Sequence, residues 1–194
     1  MDLNRLLDRT SRYIVLIALL SWAVFAAAQV ETIDARARGT STQSGKDFDV
    51  RISVDQYSTP ADQQALIAAF QKDGHDGLVR ALANMKAVGR IRLPSTTGFR
   101  IAYARSIPTP TGRKIRFATD RVLTFGENAG NLRSKGYDVT AGEIEINDQD
   151  QSKSTGVLYP AVKVIMKNGE LQFELFQNPW KLTNIVDWTA KEKK

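Results

Sequence analysis

The strictest pattern in the chain is FDVRISVD, residues 48–55, where Phe48, Val50, Ile52 and Val54 alternate with Asp49, Arg51, Ser53 and Asp55. Successive side chains of a strand point to opposite faces, so this spacing predicts a strand with one face in a core and the other in water. The period then changes. Thr59 can cap a helix, Pro60 fits its first position and Asp62 its third, and Leu66, Ala69 and Phe70, with Ile67 beside them, share one side. Gly74 stops that helix, and Leu78, Leu82 and Met85 recur at i, i+4 and i+7 in a second. A helical hairpin is therefore predicted, inserted after the first strand.

From residue 87 the alternation returns. It predicts strands at 87–93, 98–106, 112–119, 121–125, 138–147, 155–167, 170–177 and 180–187, with Pro94, Gly98, Pro108, Pro110 and Gly112 in the turns. The clearest hairpin is AVKVIMKNGELQFELF, residues 161–176. Asn168-Gly169 suits a two-residue turn whose central positions need positive φ. That turn sets Lys167 opposite Glu170 and Lys163 opposite Glu174, with Met166, Val164 and Val162 opposite Leu171, Phe173 and Leu175. A slip of one residue would bury the charges, so both faces specify this register. Residues 125–138, FGENAGNLRSKGYD, read as a long loop, and a shift of apolar parity between Val139 and Ile144 predicts a bulge near Ala141-Gly142. Together these elements predict an α+β fold, a highly curved antiparallel sheet or barrel of about eight or nine strands with one inserted helical hairpin.

The N-terminus changes the picture from fold to address. An apolar run at residues 13–28 follows Arg5, Arg9 and Arg12 and ends in Ala26-Ala27-Ala28, the layout of a secretory signal peptide cleaved after Ala28. As a helix the run would span about 24 Å, short of the ~30 Å hydrocarbon core. An uncleaved anchor is the alternative. Residues 29–47 are polar and read as a flexible leader, 48–190 as a single α+β domain, and 191–194 as a basic tail. An exported protein, periplasmic or secreted, is expected. With no cysteine in the chain, disulfides, thiol catalysis and a lipid-modified cysteine are excluded.

The runs ALANMKAVGRIRLP, GFRIAYAR and TDRVLTFGE resemble segments of a group of uncharacterised exported bacterial proteins, over about residues 50–185. The resemblance implies a bacterial exported protein. The group has no assigned activity, so no residue role is carried over.

Charge is the remaining lead. The chain carries a formal net charge of +6, which favours anionic partners at long range. Arg90, Arg92, Arg100, Lys114 and Arg116 fall opposite Ile91, Leu93, Phe99, Ile101, Ile115 and Phe117, and are the candidate anion-binding residues. Acidic side chains on neighbouring strands, Asp49, Asp55, Glu143 and Glu145, could neutralise that face instead. Phe99 and Tyr103 lie on the apolar side, away from the arginines where bases could stack, so nucleic acid is not expected. The single histidine, His75, stands between Asp73 and Asp76, but one imidazole and two carboxylates in a turn fall short of the ligands a tight metal site draws from separate segments. Glu143 and Glu145 could mimic a glycosidase pair, yet their alternation with Ile144 and Ile146 is explained by an amphipathic strand. No catalytic residue, metal or cofactor is assigned. The pattern predicts an exported non-catalytic binding protein of the bacterial envelope, holding a small apolar ligand in a sheet-enclosed pocket. The alternative is an interaction protein that binds a lipid headgroup or acidic glycan through the arginine face.

Overall fold

Residues 31–38, ETIDARAR, form a strand, β1 (Glu31–Arg38), in the middle of the sheet. A flexible leader over 29–47 is therefore wrong. The alternation was present but faint, because the inward positions are Glu31, Ile33, Ala35 and Ala37, of which only one is a large apolar side chain. In this computed structural model residues 31–123, 136–167 and 170–191 are described. The segment read as a signal peptide, most of the expected 125–138 loop and the expected Asn168-Gly169 turn lie outside them.

β2 (Asp47–Val54) pairs with β1 from Arg38↔Asp47 to Glu31↔Val54. A helical span, α1 (Pro60–Asn84), follows, opened by the expected capping box in which Thr59 and Asp62 exchange hydrogen bonds. It breaks at Asp73 and Gly74, where Gly74 takes φ 62°. The break is sharp: a Cβ on Gly77 would lie 2.3 Å from the Ala69 carbonyl oxygen, eight residues back, whereas eight residues of straight helix rise about 12 Å.

The remaining strands are β3 (Gly89–Arg92), β4 (Phe99–Thr109), β5 (Gly112–Thr119), β6 (Val139–Asn147), β7 (Thr155–Lys167), β8 (Glu170–Leu175) and β9 (Trp180–Asp187), before a short helix α2 (Trp188–Lys191). All pairings are antiparallel, and because β6 also pairs with β7 the strands β6-β5-β4-β3-β2-β1-β9-β7 close into an eight-stranded barrel. The ninth strand, β8, pairs with the far end of β7. The registers Lys163↔Glu174 and Lys167↔Glu170 are those the sequence specified. No strand forms at 121–123, where Arg121 O accepts from Thr119 Oγ1 and Leu123 N donates to Thr140 Oγ1.

The inward face is filled by Ile33, Val50, Ile52, Ile91, Ile101, Ile115, Phe117, Ile144, Ile146, Leu158, Trp180 and Leu182, all buried. A second apolar cluster lies outside the barrel. There Leu66 and Leu82 of α1 cover Ala102, Val139, Ala141 and Val162. This explains the parity shift read in β6: Val139 and Ala141 are apolar because they face the helix, and β6 keeps one register against β5 throughout. The bulge is in the partner, where Val139↔Val162 is followed by Ala141↔Tyr159 and β7 carries an extra residue. A comparable bulge in β4, between Ile101 and Tyr103, puts Tyr103 under α1, while Phe99 packs against the barrel core.

Candidate functional site

Cross-strand pairing brings the five cations singled out by alternation onto one outer wall, but their surroundings differ. Arg116 Nε lies 2.6 Å from Glu143, and Lys114 Nζ lies 3.0 Å from Glu143 and 3.6 Å from Glu145. β5 and β6 impose these contacts through the registers Arg116↔Glu143 and Lys114↔Glu145. Burial works against the Glu143 charge, but the hydrogen bonds from Lys114 and Arg116 outweigh it and hold the carboxyl below its ordinary range. Glu143 and Glu145 are thus ion-pair partners of the cationic wall. Arg100 donates to the Met85 carbonyl at 2.6 Å and pairs with the nearly buried Asp120 at 3.3 Å.

Arg90 and Arg92 are placed otherwise. Among the described residues neither forms an ion pair, and Arg90 donates to the Thr97 carbonyl at 3.1 Å. Each faces another arginine in register, Arg90↔Arg100 and Arg51↔Arg92. Both stems lie against Gly98, where a Cβ would come within 2.8 Å of Arg90 and 2.9 Å of Arg92. Gly98 has φ 92°, so only glycine both suits the backbone and leaves the two arginines room. Arg92 borders an open groove of about 660 Å³ whose other charges are already matched. Arg51 grips Asp34 through two bonds of 2.6 and 2.7 Å, and Arg36 binds Asp49 and Asp47.

A smaller hollow of about 250 Å³ opens on the same outer surface, between Ala141, Gly142, Tyr159 and Phe173, with Arg116 and Glu143 at its rim. Phe173 is half exposed and meets Tyr159 edge-on, ring centroids 5.8 Å apart.

The alternation missed the most concentrated polar chemistry. Arg113 shares parity with Ile115 and Phe117 and so points inward at one mouth of the barrel. β5 stands four strands from β1, whether counted through β4, β3 and β2 or through β6, β7 and β9. From there Arg113 Nη2 donates to both Glu31 of β1 and Asp187 of β9, and Nη1 to Asp148 at 2.6 Å. Tyr57 donates to the other Glu31 oxygen, and the Thr189 N–H to Asp187 at 2.9 Å. Burial opposes the Arg113 charge, yet the bonds to Glu31 and Asp187 hold the guanidinium above its ordinary range. Burial, then the bond to Glu31, pushes the Tyr57 phenol up. The cluster matches its own donors to its own acceptors and ties β5 to β1 and β9 across the barrel. A charged residue on the apolar parity of a strand was the signal that could have found it.

His75 does not meet further metal ligands; among the described residues no group of three His, Cys, Asp or Glu gathers to hold a metal. It is buried, with Nδ1 accepting the Val164 N–H at 3.0 Å. Among the described residues no helix is long and apolar enough to cross a membrane. Comparison of the chain with protein-family models, with curated proteins and with solved structures finds no match.

Proposed function

We propose that the protein is an exported, non-catalytic binding protein that takes an anionic partner on the outer wall of its barrel, at Arg90 and Arg92. The observation that carries this reading is the contrast within the cationic wall: Arg100, Lys114 and Arg116 are held by carboxylates, whereas Arg90 and Arg92 have no acidic partner among the described residues and Arg92 borders the 660 Å³ groove. Juxtaposed guanidinium groups destabilise one another unless an anion lies between them. Arginine also matches phosphate and carboxylate geometry with paired donors. Eight-stranded barrels either fill with side chains or hold one small ligand. Here large side chains such as Trp180, Ile33 and Ile52 are fully buried at inward positions, which supports an outer site.

Lipid headgroups and acidic glycans offer the same chemistry. They are separated by measuring co-sedimentation with vesicles containing phosphatidylglycerol and, in parallel, retention on a uronic-acid or sulfated glycan. The double variant Arg90→Gln/Arg92→Gln should bind at least about tenfold more weakly to whichever is the partner. The wild-type affinity should decline with salt as the Debye length falls from ~10 Å at 0.1 M to ~3 Å at 1 M. Equal binding by variant and wild type would refute the site.

A second reading, a small apolar ligand, is favoured by one observation, the 250 Å³ hollow beside the half-exposed Phe173. Filling that hollow with Ala141→Leu would abolish uptake of such a ligand and leave anion binding unchanged.

A further inference from the structure

His75 occupies the place of a missing strand residue. β6 begins at Val139, which pairs with Val162 of β7. Beyond that point, among the described residues, β7 pairs with β8 on one edge, through Val164↔Phe173, and with no strand on the other. The Val164 N–H on the other edge is taken by His75 Nδ1 at 3.0 Å. The imidazole therefore extends the ladder past the end of β6, and it does so from the first residue after the Gly74 break in α1. Because Nδ1 accepts, it carries no proton, and the ring proton resides on Nε2, which is buried and has no hydrogen-bond partner among the described residues.

We propose that His75 is an acid-sensitive latch: protonation at Nδ1 turns its lone pair into an N–H aimed at the Val164 N–H, and frees the second half of α1 from the barrel wall. The surface this uncovers is apolar, since Leu82 packs with Val139, Ala141 and Val162. The charged groups around the ring act in both directions. Asp76 of the same helix and Asp138, just ahead of β6, favour the imidazolium, while Lys163 of β7 opposes it. Burial is the largest influence and lowers the affinity of His75 for a proton. A lowered folded value gives the sign. The latch is fully closed above the exposed-imidazole range near 6.5 and opens as pH falls below it toward the folded value.

With a single histidine in the chain, the imidazole Hε1 resonance reports this group alone. Proton NMR should show it titrating below ~6.5, and Val164 amide protection, corrected for intrinsic exchange, should fall about tenfold per pH unit across that range. His75→Asn supplies an uncharged acceptor in place of Nδ1 and should remove the pH dependence of that protection. A hydrophobic dye should bind wild type but not His75→Asn as pH falls from 7.5 to 5. Titration of His75 with Val164 protection unchanged would overturn the latch. So would equal loss of protection in wild type and His75→Asn. Should His75→Asn fail to fold, Lys163→Gln provides the second test. Removing that opposing charge should raise the folded Hε1 midpoint toward the exposed value and so reduce the total loss of protection at low pH. A raised midpoint with the loss of protection unchanged overturns the proposal.

Discussion

Glu31 and Asp187 bind the same nitrogen of Arg113, and their side chains are 8% and 0% exposed. Taking that guanidinium away would leave two buried carboxylates without a counter-charge. Arg113→Met is accordingly expected to cost ~3–5 kcal/mol in urea unfolding, the usual penalty for removing one member of a buried ion pair. Arg116→Gln should cost no more than ~1 kcal/mol, because Arg116 is mostly exposed and its pair with Glu143 is screened by solvent. The two substitutions remove the same charge from residues three apart on one strand, so the ratio of their effects measures parity. Acid should weaken the Glu143 pairs in a defined direction. Its carboxyl is held below the ordinary range, so the stabilisation is present above the unfolded value and is lost as pH falls through the folded one. What alternation made legible here was which cations face outward, and that Glu143 and Glu145 could neutralise them. It did not say which cations would be matched: the β5–β6 register gives those acids to Lys114 and Arg116, and Arg100 meets Asp120 just past the end of β5.

Turn chemistry and capping read well from the chain because each is fixed by neighbours in sequence. The Thr59–Asp62 box, the break at Gly74 and the β7–β8 register are all of this kind. Elements whose faces are set by distant partners read poorly. Val139 and Ala141 looked like a defect in β6 until Leu66 and Leu82 were seen to cover them, and β1 was hidden by its alanines. The helix break rests on a close approach as well as a turn. Gly77 sits against the Ala69 carbonyl with no room for a side chain. Gly77→Val should force the two halves of α1 apart, at a cost of ~1–3 kcal/mol typical of overpacking, read as a lowered midpoint of thermal unfolding. An unchanged midpoint would mean that the halves separate freely.

The barrel is a ring, and a ring has no dispensable strand. Deleting residues 31–38 would remove the pairings of both β2 and β9, so the shortened chain should lose its cooperative unfolding transition and its dispersed NMR spectrum. Had this stretch been a leader, its loss would leave both intact. Closure through Ile33↔Asp187 also fixes when the native state becomes available. As the chain is made from its N-terminus, β1 finds β2 early, but its second edge waits for β9 near the other end. Such long-range pairing places folding in the millisecond-to-second regime, which stopped-flow refolding would test. Until β9 arrives the nascent chain is an open ribbon with an unsatisfied strand at each border, vulnerable to capture by other chains. A chain halted before Trp180 should therefore remain protease-sensitive and bind a holdase chaperone, whereas the full chain should resist. Under the export proposed above, that delay would be useful, because a ring that cannot shut until β9 appears stays threadable until then.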